Sequence, residues 1–290
     1  MTKKVSFVGT GLMGFPMARN LLKSKTDLKV YNRTLEKAEP LIKFGAKISS
    51  SLEEVVENTD VIITMLTDDE AVKIVLNDKK LLKNLKPNST VIDMSSTNPE
   101  IAINNSKKLK EFNVNFLDAP VSGGTIGAEK ATLAIMVGGD LDVFEKVDDI
   151  LKMMGNPTLV GQVGSGQISK LANQIIVGIS IGAVAEAITL CEKTGVDVNK
   201  FLMALKGGFA DSKILQTHGQ RMIKKDFLPG GKVSTHFKDM NNIIKCAKKI
   251  DIDLPISNLI EKMFESLIKE GNANDDHSAL YKEIQRINQK

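Results

Sequence analysis

Hydrophobic positions in the first half of the chain come in short compact runs, separated by stretches with helical spacing. "KVSFVG" is an apolar run ending on glycine, and "FPMARNLLKS" after it repeats apolar positions every three to four residues. "DLKVYN" gives a second strand. "TLEKAEPLIKFG" predicts a second helix, with Thr34 as its cap and Pro40 as a point of shortening or kinking. "DVIITML" is almost wholly apolar, as a parallel strand covered on both faces requires. "STVIDMS" and "NVNFLDAP" repeat the theme. Such alternation predicts a doubly wound parallel sheet of βαβ units. Strand signals stop after about residue 163, and helical spacing then covers roughly 167–194, 198–206, 212–224, 235–250, 256–270 and 277–288. The expected organisation is an α/β domain over 1–163 and an all-helical domain over 164–290, entered through a long helix.

Composition narrows the class. The 290 residues suffice for two domains; 42% are hydrophobic and 26% charged, an ordinary balance for a globular chain. The formal net charge of +4 is small for this length and no basic block occurs, which argues against nucleic-acid binding. Cys191 and Cys246 form no C-x-x-C pair, so neither a zinc site nor a disulfide framework is expected. "MTKKVSFVG" lacks the long apolar region of a signal peptide, and a cytoplasmic protein is expected. The apolar stretch from Ile175 to Cys191 is short for a membrane span and reads as a buried core or interface helix. The long helix from about Gln167 to Thr194, rich in Ile, Val, Ala and Gly, has more apolar surface than one small domain covers, so a homodimer or homotetramer is expected. His218, His236 and His277 are scattered, none at metal-ligand spacing, and no metal site is expected.

Candidate chemistry begins in "FVGTGLMG". Gly9, Gly11 and Gly14, with Leu12 and Met13 between them, form G-x-G-x-x-G between the first strand and the first helix, which makes the doubly wound domain Rossmann-like. Gly9 permits the tight turn and Gly11 lets backbone approach a pyrophosphate at the helix N-terminus. Gly14 allows close helix–strand packing. The second strand ends in Asn32, Arg33 and Thr34, where NAD sites usually carry Asp or Glu. An uncharged Asn32 does not repel a 2′-phosphate and Arg33 can pair with it. Thr34 can donate a hydroxyl or cap the next helix. NADP(H) is therefore favoured over NAD(H), which such a site still admits.

Two further segments stand out. In "FLDAPVSGG", Ser122, Gly123 and Gly124 can offer backbone N–H groups and a hydroxyl to a carboxylate or phosphate, or form a plain loop before another strand. In "GSGQISKLANQ", Lys170 is a single cation at the start of an apolar helix, costly unless paired, snorkelling or used. Asn173 lies one turn on, at i+3, and Gln174 at i+4.

Taken together, "VGTGLMGFPMARNL", "DMSSTNP", "DAPVSGG", "GSGQISKLANQ" and "FKDM" resemble, in order, the motifs of the β-hydroxyacid dehydrogenases, over nearly the whole chain. The resemblance implies an NADP(H)-dependent oxidoreductase that interconverts a small β-hydroxy acid and its semialdehyde. It implies Lys170 as the catalytic lysine, with Asn173 beside it and Gln174 in place of a second family asparagine. Ser122, Gly123 and Gly124, with Lys170, Asn173 and Gln174, would bind the substrate. Met65, Leu66 and Ser96 would contact cofactor, as would Lys238 near the nicotinamide, with Asp239 as its companion. Gly164 and Gly166 would let cofactor or substrate approach the helix. "KLANQ", "GGFADS" and "DHSAL" look most like the tartronate semialdehyde reductase branch; 3-hydroxyisobutyrate and glyoxylate or succinic semialdehyde are the alternative substrates. Gly231 and Thr235 depart from the family pattern of an aromatic and a leucine. A catalytically silent dinucleotide-binding module would be free to lose Lys170 and Asn173, and imine reductases typically lack the lysine.

Overall fold

The computed structural model describes residues 3–289. Its strands are β1 (Lys4–Val8), β2 (Asp27–Tyr31), β3 (Lys47–Ile48), β4 (Val61–Thr64), β5 (Thr90–Asp93), β6 (Asn115–Asp118), β7 (Val121–Ser122), β8 (Leu133–Gly138) and β9 (Gly155–Gly161). Helices α1 (Gly14–Lys23), α2 (Leu52–Val56), α3 (Asp69–Leu76), α4 (Lys79–Asn84), α5 (Pro99–Lys110), α6 (Gly124–Lys130) and α7 (Leu141–Lys152) alternate with them. From α8 (Ser165–Lys193) onward the chain is helical: α9 (Val198–Leu205), α10 (Lys213–Lys224), α11 (Val233–Lys249), α12 (Pro255–Lys269) and α13 (Leu280–Ile287). Contacts divide the chain into Met1–Lys170 and Leu171–Lys290, and α8 runs from the first unit into the second.

In the first unit β3, β2, β1, β4, β5 and β6 lie side by side, all parallel. Alternation along each strand supplies two cores. Phe7, Ile63, Ile92 and Leu117 enter one, with Met17 and Leu21 of α1. Their chain neighbours Val8, Ile62, Val91 and Phe116 enter the other, with Val72 of α3 and Leu109 of α5.

The far edge departs from the parallel pattern expected. β8 runs antiparallel to β6 and β7, and β9 runs parallel to β8. The connection from β7 to β8 holds only the seven-residue α6, and a parallel return usually needs a dozen residues or more. The helix expected over 34–45 is also absent. Two 3₁₀ turns, Leu35–Lys37 and Glu39–Phe44, replace it, with Pro40 at the start of the second, and the Thr34 side chain makes no cap. Proline withholds an N–H and clashes with the preceding turn, so a continuous α-helix cannot pass it without a kink or break.

The second unit closes over its own core of Ile181, Val184, Ala185 and Ile188 from α8, Met240 and Ile243 from α11, Phe264 from α12 and Leu280 from α13. At 29 residues, α8 is long and apolar enough to cross a membrane by length and composition, contrary to the length read from Ile175–Cys191. Helix residues outside that apolar stretch supply the extra length, and its buried face packs into the helical core.

Candidate active site

The cofactor candidates in the first unit cluster at the C-terminal ends of the parallel strands. Gly9 follows β1, Asn32 follows β2, Met65 follows β4 and Ser95 follows β5, around the point where strand order reverses at β1 and β4. Gly9 has φ +102°, and a Cβ there would run into the Met65 carbonyl oxygen. A Cβ on Gly14 would strike the Gly9 carbonyl. Gly11 differs: it is exposed, and nothing lies within 4 Å of where its Cβ would be. The N-cap residue of α1, Met13, makes no side-chain cap, and no acid occupies the first turn. The helix end therefore keeps N–H groups and the positive end of its dipole for an anion. These residues fit a dinucleotide pyrophosphate: open backbone at Gly11, tight packing at Gly9 and Gly14. Leu12 is 64% exposed beside them.

Asn32 connects two loops. Its Oδ1 accepts the Thr10 N–H at 2.9 Å and its Nδ2 donates to the Thr34 carbonyl at 2.8 Å. A carboxylate at this position would lose the second bond. Arg33 and Thr34 are exposed just beyond it. Met65 donates its N–H to the Val8 carbonyl at 2.9 Å, and Leu66 donates to the Ser95 hydroxyl at 2.9 Å. Ser96, the residue expected to touch cofactor, is half-buried next to this serine.

Beneath these loops is a buried polar network that the motifs did not announce. Asp93 accepts from the Thr64 hydroxyl at 2.8 Å and the Ser95 N–H at 3.1 Å, while its other oxygen has no hydrogen bond among the described residues. Asp118 accepts the N–H groups of Gly164 at 2.7 Å and Gln167 at 2.8 Å, and so holds the start of α8. Burial pushes both carboxyls up to about 6, against those donors. Gln167, fully buried, donates to the Ser95 carbonyl at 2.8 Å and accepts the Thr97 N–H at 3.0 Å. One amide thus fastens the loop after β5 to the first turn of α8, one turn before Lys170. Gly164 and Gly166 are buried, and protein atoms occupy or crowd the place a side chain would take at each. A Cβ on Gly166 would meet the carbonyls of Met136 and Asp118, and one on Gly164 would press on Ile103.

Lys170 is buried in the second turn of α8, with 9% of its surface exposed. Ser122 ends β7, opposite Ala134 of β8. Gly123 (φ +140°) and Gly124 (φ +61°) turn the chain into α6 in conformations that favour glycine, and Gly124 is exposed with nothing near its Cβ position.

In the second unit Asn173 Nδ2 donates to Gln174 Oε1 at 2.8 Å, and Gln174 Nε2 donates to Asp239 Oδ2 at 2.6 Å. Lys238 pairs with the other oxygen of Asp239 at 3.3 Å. The three histidines are not scattered. His277 meets His218 edge-on at 4.7 Å between ring centres and His236 at 5.2 Å. Ligand atoms of His218, Asp276 and His277 all lie within 4.8 Å of one another. Folding brings α10, α11 and the turn before α13 together, which sequence spacing cannot show. Asp276 is already engaged: Oδ1 accepts from the Ser278 N–H and hydroxyl, and Oδ2 from Arg221, Gly230 and Gly231. Burial works to raise its pKa, but His277 and these donors outweigh it and hold the carboxyl at about 2. The cluster therefore forms an ion-pair hub around a saturated carboxylate. Gly231 lies beside it, its Cβ position 3.4 Å from the His277 ring, an ordinary packing distance. Thr235 is exposed on α11.

Comparison with known proteins agrees with this arrangement. The family profile described as the NAD binding domain of 6-phosphogluconate dehydrogenase matches residues 4–164. That described as the NAD-binding domain of NADP-dependent 3-hydroxyisobutyrate dehydrogenase matches 164–284. The 2-hydroxy-3-oxopropionate reductase of Escherichia coli is 40% identical over 97% of both chains. The chain belongs to the β-hydroxyacid dehydrogenase family. A probable 3-hydroxyisobutyrate dehydrogenase-like protein of Arabidopsis thaliana is 34% identical to this dehydrogenase over 98% of its length and 86% of the plant protein. The solved 3-hydroxyisobutyrate dehydrogenase of Mycobacterium tuberculosis superposes with a TM-score of 0.89 at 27% identity, covering 98% of this chain and 99% of that one. The β-hydroxyacid dehydrogenase described here is thus an oxidoreductase with an NAD-binding Rossmann domain.

Proposed function

We propose that this dehydrogenase is a tartronate semialdehyde reductase, converting 2-hydroxy-3-oxopropionate and NADPH to D-glycerate and NADP. The observation that carries the reading is the 40% identity, over nearly the full length of both chains, to the Escherichia coli 2-hydroxy-3-oxopropionate reductase. When bound, the nicotinamide supplies the hydride that adds to the aldehyde carbon. Lys170 supplies the rest. Its ammonium donates to the aldehyde oxygen, stabilises the negative charge that develops there, and passes a proton to the resulting alkoxide. In the reverse direction the neutral amine takes the alcohol proton. Ser122, Gly123 and Gly124 offer a hydroxyl and backbone N–H groups for the substrate carboxylate. Asn173, one turn from Lys170, holds the substrate.

On the cofactor, Gly9, Gly11, Leu12, Met13 and Gly14 would hold the pyrophosphate, Met65, Leu66 and Ser96 would contact the dinucleotide, and Lys238 would serve its nicotinamide end. Arg33, exposed beside an uncharged Asn32, supports preference for NADP(H), because a guanidinium pairs bidentately with a phosphate and stacks on adenine. A steady-state panel tests the assignment. Tartronate, methylmalonate and succinic semialdehydes and glyoxylate are each supplied with NADPH and with NADH. The expected result is the highest kcat/KM for tartronate semialdehyde with NADPH; a higher value for any other pair replaces the assignment.

A further inference from the structure

We infer that Asn173 presents its carbonyl oxygen to the substrate, that Gln174 and Asp239 enforce this polarity, and that the site therefore selects semialdehyde acids carrying a hydroxyl on C2. The inference rests on the reading that Lys170 reduces a small semialdehyde acid, and it identifies what distinguishes the preferred acid.

The polarity follows from Asp239. This residue is 2% exposed on α11, and its carboxylate pairs with the Lys238 ammonium at 3.3 Å. A carboxylate only accepts hydrogen bonds. The Gln174 group 2.6 Å from Asp239 Oδ2 must therefore be the amide nitrogen. With Nε2 committed, Oε1 faces Asn173 at 2.8 Å, and Asn173 must meet it with Nδ2. Two amides in series thus transmit the sign of the carboxylate, and neither can flip without placing oxygen against oxygen. Asn173 is left with Oδ1, which accepts no hydrogen bond among the described residues. The residue is half-buried on the face of α8 that carries Lys170 three positions earlier.

An acceptor one turn from the proposed proton donor calls for a donor on the substrate. At C2, malonate semialdehyde carries hydrogen, methylmalonate semialdehyde a methyl group and tartronate semialdehyde a hydroxyl. Only the hydroxyl donates. A substrate without it leaves Asn173 Oδ1 desolvated and unmatched, a loss of about tenfold to a hundredfold in kcat/KM. Gln174 is in this account a positioning residue. Its length matters, since asparagine is one methylene shorter and falls short of Asp239.

The test compares kcat/KM for tartronate and malonate semialdehydes, with NADPH and the full chain, in wild type, Gln174→Met and Gln174→Asn. Wild type is expected to favour the hydroxylated substrate by about tenfold or more. In both variants the preference is expected to shrink at least about fivefold, because the Asn173 amide can then turn either way. A merely structural role would lower both substrates together and leave the ratio standing. An unchanged ratio in either folded variant overturns the inference. So does a wild-type ratio near one, the result expected if Asn173 serves only the Lys170 ammonium; that ratio decides even if neither variant folds. Equal reduction of both acids removes this inference alone, whereas reduction of neither removes the semialdehyde reading beneath it.

Discussion

Asp118, at the end of β6, accepts the backbone N–H of Gln167 at 2.8 Å, and the Gln167 side chain in turn grips the loop after β5. A strand, a loop and the start of α8 are thereby fixed to one another one turn before Lys170. Gln167→Ala removes two buried hydrogen bonds and strands the Ser95 carbonyl and the Thr97 N–H. The expected cost is about 2–4 kcal/mol, read by calorimetry as a fall in Tm of roughly 5–10 °C. A shift under about 2 °C would mean the loop is held by other contacts.

Lys170→Ala is expected to lower kcat by several orders of magnitude. An oxyanion donor alone is worth about 10²–10³ and proton transfer about 10²–10⁴, and the two overlap in one ammonium. NADPH affinity, measured by fluorescence titration, should survive, since the proposed pyrophosphate cradle at Gly9 to Gly14 does not include Lys170. Lys170→Arg should not restore turnover, because guanidinium keeps its charge but does not give up a proton. A folded alanine variant within about tenfold of wild type would remove Lys170 from the mechanism.

Arg33→Ala is expected to raise KM for NADPH roughly ten- to a hundredfold while changing NADH little, the size of one charge-assisted contact. Equal losses with both cofactors would show that Arg33 does not meet a 2′-phosphate.

Asp93 is fully buried, and burial, the dominant cause, lifts its carboxyl to about 6 from an ordinary 3.8. A carboxyl raised on folding holds its proton more tightly in the native state. Its contribution is complete below about pH 4 and is lost as pH climbs through about 6. Asp93→Asn abolishes that titration and keeps an oxygen for Thr64 and Ser95. The variant-minus-wild-type difference in stability should therefore turn more favourable to the variant between pH 4 and 7, by at most about 3 kcal/mol. Denaturant midpoints across that range provide the measurement, and a flat difference would refute the titration.

Along α8, Ile168, Ile176 and Leu190 are 46%, 64% and 66% exposed. An apolar helix side of this kind predicts a homodimer or homotetramer that covers it. Light scattering should find an oligomer in wild type at micromolar concentration and a smaller species for Ile176→Lys. A monomeric wild type would sink the prediction.

The sequence alone determined whatever depends on residues near one another along the chain. Compact apolar runs located β1, β2, β4, β5 and β6, and period-3.6 spacing located α1 and the helices after residue 163. G-x-G-x-x-G marked its own turn, because the glycines, strand and helix that justify it are contiguous. Asn32, Arg33, Lys170, Asn173 and Gln174 stood out as candidates for the same reason: each belongs to a short motif. Only the tertiary structure decided the rest. The antiparallel β8 edge depends on which strands meet across a short connection. His218, His236 and His277 looked unrelated because up to 59 positions separate them, yet three helical segments place their rings in contact. Asp118 and Gln167 lay within motifs already noticed, but a side chain's burial and partners arise from residues far off in sequence. Ser95 and Gln167 are 72 positions apart. The direction of the Asn173 amide is the sharpest case, since its sign is set by a carboxylate on another helix, 66 residues later.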